Sequence, residues 1–213
     1  MKGIAYVAFF LVSLSAAFLA QAQIAAQTKS AQRTYTAAEY EAYQTAEAEQ
    51  DANKRVRLID DFISQHPKSA LLIYVYPLCY QTHSLLKNYP RVMDCADELV
   101  QLGEHATVEA RYMALYAATN AYNKLNSDNP ELAAKARTRA LAGAKLLSSL
   151  KRPETLGANE FDAEKRRATI YFEGTAGRAA MMMKDYPGAT NALKAIVAEI
   201  DSIPIGVGIK PGP

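Results

Sequence analysis

The tetrad Lys87-Asn88-Tyr89-Pro90 recurs as Lys184-Asp185-Tyr186-Pro187, and Ser127-Asp128-Asn129-Pro130 is a looser third copy between them. Each copy separates two alanine-rich stretches whose apolar residues repeat with a helical period. Proline at the start of a helix has a suitable φ and lacks an N–H that would be unpaired there anyway. Asn or Asp just before it favours chain reversal. Each tetrad therefore predicts a short helix–helix connection between antiparallel neighbours. A chain punctuated this way is restricted to stacked helical hairpins, with an irregular helical bundle as the alternative.

Helices are expected over residues 37–50, 53–65, 70–87, 90–102, 107–125, 130–150, 160–184 and 187–203. His66-Pro67 stops the second, because a residue before proline disfavours the helical region. Ser69 can cap the third, in which Pro77 should produce a kink or mark the true first turn. Gly103 ends the fourth. The first helices of successive pairs begin near residues 37, 70, 107 and 160. The first two intervals fall in the mid-thirties typical of two-helix repeats, and a loop over about 151–159 stretches the last.

The start of the chain sets the expected compartment. A positive start at Lys2, an apolar run over 4–20 and the small-x-small Ala20-Gln21-Ala22 form a signal peptide over 1–22, with cleavage after Ala22. The expected location is periplasmic or secreted. The alternative is a membrane anchor through residues 4–20, a run short for a bilayer core of roughly 30 Å. Residues 23–35 read as a disordered leader, and 204–213, alternating Gly, Pro and Ile or Val, as an extended tail. No other stretch approaches membrane length, so no membrane contact beyond the signal segment is expected. The near-balanced formal charge of +2 argues against a nucleic-acid partner, whose binding face would be clustered and basic.

The last helix pair resembles the tetratricopeptide repeat family, because Gly177, Tyr186, Ala189 and Leu193 fall at that family's small, aromatic, small and apolar positions. Around the first tetrad Tyr89 is kept, but Val92 stands for the alanine and Tyr80 for the glycine, and the third copy has no tyrosine. The resemblance implies an all-α fold: a right-handed stack of about four antiparallel helix pairs, a TPR-like α-solenoid over 36–203. Its tetrad tyrosines are expected to hold repeats together. Degenerate repeats of this kind commonly scaffold protein assembly in the bacterial envelope. The family register places Tyr74, Gln81, Ser84, Tyr171, Gly174, Arg178 and Met181 on the concave, partner-binding face. Tyrosine and arginine suit such a face by combining area with a polar tip, although Tyr74 and Tyr171 have a plainer reading as packing between repeats.

Residues that could carry chemistry each have a plainer reading. Cys79 and Cys95 are symmetric about residue 87, at the turn of one hairpin, so antiparallel helices set them at similar heights. A disulfide and a pair of buried free thiols both fit. Cys79 and His83 share a helical face, making three potential soft-metal ligands with Cys95, yet without a fourth ligand a core-edge histidine is preferred and no metal or other cofactor is expected. Ser148-Ser149-Leu150-Lys151 has the Ser-x-x-Lys spacing of acyl-transfer enzymes but none of their supporting motifs. Gly174-Thr175-Ala176-Gly177 lies within a helical pattern rather than a loop. Asp60 and Asp61 point to different faces, and Glu47, Glu49 and Asp51 belong to a solvated face. Met181-Met182-Met183 spans about a turn, with one or two expected in the core. Nothing assembles a nucleophile, a base and an oxyanion site.

The reading that follows is a non-catalytic adaptor or scaffold binding a protein or peptide. The alternatives are a structural subunit that packs its helices and the extended 205–213 tail against copies of itself or a larger assembly, and a small-ligand carrier with a tyrosine-lined pocket.

Overall fold

The computed structural model describes residues 35–201. The expected signal peptide and its alternative as an anchor, nearly all of the leader, and the tail lie outside the described residues. Among the described residues eight α-helices follow one another: α1 (Ala37–Ala48), α2 (Ala52–Gln65), α3 (Leu72–Leu85), α4 (Tyr89–Gln101), α5 (Val108–Leu125), α6 (Pro130–Leu146), α7 (Ala158–Met182) and α8 (Tyr186–Asp201). Short 3-10 turns, Gly103–His105 and Leu147–Ser149, follow α4 and α6. No strand occurs among the described residues, so the protein is all-α there. Nor is any described helix long and apolar enough to cross a membrane.

The two closest tetrads build turns with the same hydrogen-bond pattern. Lys87 and Lys184 both take the left-handed conformation, at φ of 57° and 60°. Lys87 N–H donates to Ser84 O and Asn88 N–H to His83 O, while Lys184 N–H donates to Met181 O and Asp185 N–H to Ala180 O. This paired closure satisfies carbonyls that the helix end would otherwise leave open. The next residue then starts the following helix. Asn88 Oδ1 accepts from Arg91 N–H at 3.4 Å and Asp185 Oδ1 from Gly188 N–H at 3.0 Å. One residue thus closes one helix with its backbone N–H and caps the next with its side chain. In the third copy Asn126, at φ 46°, ends α5, and Asn129 Oδ1 caps α6 from Leu132 N–H at 3.0 Å.

Several local expectations are corrected. Helix α3 begins at Leu72 rather than residue 70, and Ser69 Oγ instead accepts from Leu71 N–H in the preceding turn. Pro77 lies inside α3 rather than in its first turn. Asp51 is the N-cap of α2, accepting from Asn53 and Lys54 N–H at 2.9 Å each, and Glu49 Oε1 accepts from Asp51 N–H. These acids are exposed, but they shape a helix start rather than merely face solvent. Among Met181, Met182 and Met183 the expectation of one or two in the core holds: Met182 packs inward, receiving a hydrogen bond from Tyr122 Oη to Sδ at 3.3 Å, while Met181 is 53% exposed.

Every helix packs on the next in sequence, and contacts also skip one helix. Among odd-numbered helices, Tyr74 on α3 meets Tyr43 on α1 with ring centroids 6.1 Å apart, α3 touches α5, and α5 touches α7. Among even-numbered helices, ion pairs make the links. Arg91 on α4 reaches Asp60 on α2 at 2.9 Å, and Arg139 on α6 grips Asp97 on α4. Arg137 on α6 reaches Asp185, in the turn before α8, at 2.6 Å.

The core changes character along the chain. Ile59, Phe62, Val75 and Leu99 fill the first half, whereas α6 to α8 bury mostly alanines, with Phe172 as the one large ring at 0% exposure. Small side chains let helix backbones approach closely. A Cβ on Gly177 would sit 3.1 Å from Ala192 Cβ on α8, and one on Gly143 would lie 2.4 Å from the Phe172 ring.

Candidate functional site

The candidate partner-binding residues lie on α3 and α7 and do not form one contiguous group. Tyr74 and Gln81 are exposed on α3, and Ser84 is half-buried near its end. Ser84 also supplies the carbonyl that closes the Lys87 turn, so its backbone is committed to structure. On α7, Tyr171 is half-buried while Arg178 and Met181 are exposed. Helix α5 lies between these two sets, and sequence reasoning named none of its residues.

Helix α5 nevertheless supplies most of the partners. The Tyr171 ring lies 5.1 Å from Tyr116, and Phe172 meets Tyr112 and Tyr116 edge-on at 6.0 and 6.1 Å. Asn123 Nδ2 donates to Thr175 Oγ1 at 2.9 Å, and Asn123 Oδ1 accepts from the Arg178 guanidinium. That guanidinium lies over the Tyr122 ring, 5.3 Å from its centroid. Such stacking suits arginine, whose planar cation is attracted to a ring face. Tyr74 and Tyr171 therefore pack between neighbouring odd-numbered helices while keeping an exposed edge. A helical period of tyrosine on α5 (Tyr112, Tyr116) could have pointed to this cluster.

Burial dominates the acid–base behaviour of these rings. It pushes Tyr112 and Tyr171 up to about 12, with Tyr116 also raised. An unfolded tyrosine ionises near 10. The folded state therefore resists losing these protons, so their contribution to stability is intact below pH ~10 and is lost as pH rises from about 10 to 12. Helicity and tyrosinate absorbance followed together should change in one step across that window. Complete ionisation of the tyrosines with helicity unchanged would contradict burial of the cluster.

The tetrad tyrosines divide. Tyr89 receives Lys124 of α5 over its ring at 5.9 Å, a link to the next hairpin. Tyr186, expected to join repeats, is instead 59% exposed because no described helix follows α8 to cover it. Leu193, Val197 and Ile200 are likewise more than half exposed. With Tyr186 they lie at offsets of seven, four and three residues, a seam along the outer side of α8.

A cleft of about 390 Å³ between α1 and α2 is lined by residues including Ala42, Thr45, Leu58 and His66, none of them tyrosine. It does not supply the tyrosine-lined pocket that a carrier would need. Cys79 and Cys95 are joined by a disulfide between α3 and α4, with Cα atoms 6.0 Å apart. No protein-family model matches the chain, and neither the curated proteins nor the solved structures contain a match.

Proposed function

We propose that this chain is an exported, non-catalytic scaffold of TPR-like helix pairs, stacked with a right-handed turn, that holds a protein or peptide along its odd-numbered helices. Two sets of skipping contacts support the stack: aromatic and amide contacts among odd-numbered helices, ion pairs among even-numbered ones. One observation carries the binding role. Arg178 is exposed yet held in place by Asn123 and the Tyr122 ring, beside the exposed Met181. A fixed guanidinium loses little side-chain freedom on binding, and its fork matches a carboxylate. Arg178→Glu should weaken capture of a cross-linked partner in cells about tenfold, ~1.4 kcal/mol, while leaving helicity unchanged. Equal capture by both proteins would remove α7 from the binding face.

The α8 seam favours a second reading, a structural subunit that packs on a second copy of itself. A two-fold pairing makes one patch meet its own image, which a seam of this spacing permits. Sedimentation of the mature chain and of Leu193→Glu decides it. A dimer lost in the variant supports the pairing, and a wild-type monomer at all concentrations ends it.

A further inference from the structure

Beside the disulfide, His83 is 4% exposed, and both its ring nitrogens are buried with no hydrogen-bond partner. Leaving a buried polar group unsatisfied is costly, and a native protein that does so usually has a reason. The ring has no protein partner, yet it has two neighbours of a particular kind. The sulfurs of Cys79 and Cys95 and a nitrogen of His83 all lie within 4.8 Å of one another, in residues that are all buried. Cys79 and His83 share a face of α3 four residues apart, and Cys95 faces them from α4. Burial first, then Arg91, holds the imidazole below its usual proton affinity, against the opposing pull of Asp60 and Asp94. A neutral ring is the form that binds metal.

We propose that Cys79, His83 and Cys95 form a zinc site whenever the disulfide is reduced, so that oxidation and metal occupy the same three side chains in turn. Reduction by a dithiol passes two electrons and two protons to the cysteine sulfurs and leaves the reductant as its own disulfide. Zinc then displaces the two thiol protons, forming two Zn–S bonds and one Zn–N bond, with a water free to take the fourth position. Reoxidation by a small disulfide removes two electrons from the thiolates, rebuilds the Cys79–Cys95 bond and releases the ion.

Charge selects zinc among soft ions. Two thiolates and a neutral imidazole carry two negative charges, which a divalent ion cancels. Monovalent copper would leave one negative charge buried near Asp60 and Asp94, with only Arg91 to offset it. Isolated charge in a protein interior is strongly disfavoured. The geometry is within reach, since a tetrahedral ion with Zn–S bonds of about 2.3 Å needs its sulfurs roughly 3.8 Å apart. Cα atoms 6.0 Å apart allow that separation by side-chain rotation. Because the sulfurs are buried, reductant and ion must enter through local opening of the α3–α4 hairpin.

The test uses the mature chain, reduced under nitrogen with a tertiary phosphine, which leaves no competing thiol. Cobalt(II) should bind at one equivalent, giving a thiolate-to-cobalt band in the near ultraviolet that one equivalent of zinc abolishes. The oxidised chain should give no band. His83→Gln should keep its helicity and weaken zinc by more than about tenfold, since even a residue supporting a ligand is worth that much. If that variant does not fold, the comparison of reduced with oxidised wild type decides alone. Absence of the band from the reduced chain, or equal zinc affinity with and without the His83 ring, overturns the site.

Discussion

Replacing Phe172 with alanine is expected to lower the unfolding free energy by about 3–5 kcal/mol, the upper range for core truncations. The size follows from what surrounds the ring. Phe172 is fully buried, with Tyr112, Tyr116 and Tyr171 at centroid distances of 6.0, 6.1 and 5.9 Å. Its remaining neighbours include Ala140 and Ala176, and the ring lies on the backbone at Gly143. Alanine and glycine have no side chain to swing into the space, the tyrosines are held by one another, and Leu147 is itself buried in the same cluster. The cavity therefore stays open, and the cost of a cavity rises with its residual volume. The converse change, Gly143→Ala, puts a methyl 2.4 Å from Phe172 Cε1 and should cost about 1–3 kcal/mol through overpacking. Urea unfolding followed by circular dichroism measures both. A loss below about 1 kcal/mol for Phe172→Ala would mean that α6 and α7 close over the gap, and that the ring is not what spaces them.

How much of this could be read from sequence depends on the range of each interaction. The tetrads were legible because a turn is local: proline, Asn or Asp, and the flanking periodicity all fall within a few residues. Even there, the left-handed lysines at 87 and 184 were not, since lysine carries no sign of that conformation; what fixes it is the paired closure of the preceding helix. The ion pairs between even-numbered helices were invisible. Arg91 and Asp60 are 31 residues apart, and Arg139 and Asp97 are 42. Nothing in a local pattern distinguishes them from solvated charges.

The candidate site shows the same limit in another form. The family register put Arg178 on an open face, but gave no sign of Asn123 and Tyr122, which hold it from a helix some fifty residues earlier. The repeat resemblance put Leu193 at an apolar position, which in a repeat array a following neighbour covers, but no described helix follows α8 and Leu193 is 61% exposed. For the cysteines, spacing brought Cys79, His83 and Cys95 together. The unpaired nitrogens that give His83 a role appear only when every other neighbour is placed.

Removing Asp97 is the second change with a large expected effect. The Arg139 side chain is 9% exposed, its Nε donates to Asp97 Oδ1 at 2.7 Å, and its Nη2 donates to Oδ2, a two-pronged grip. Asp97→Ala strands that cation among α4 and α6, with Met93 Sδ at 3.5 Å from Nη1 as a weak acceptor. Breaking a fully buried pair costs about 3–5 kcal/mol, mainly from the abandoned charge. The Asp97 side chain is 37% exposed, so water can reach part of the gap and about 2–3 kcal/mol is expected. The control is Glu131→Ala, which breaks an exposed pair with Lys135 and should cost no more than about 0.5 kcal/mol. Exchanging both partners, Asp97→Leu with Arg139→Leu, should recover most of the loss, because the pair's own attraction largely offsets its desolvation. Urea midpoints for the three variants separate the cases. A double variant as unstable as Asp97→Ala would show that Arg139 matters for the volume it fills rather than its charge. If Asp97→Ala matched Glu131→Ala, charge would not be what sets the even-numbered helices in register, and that task would fall to the tyrosines on the odd-numbered side.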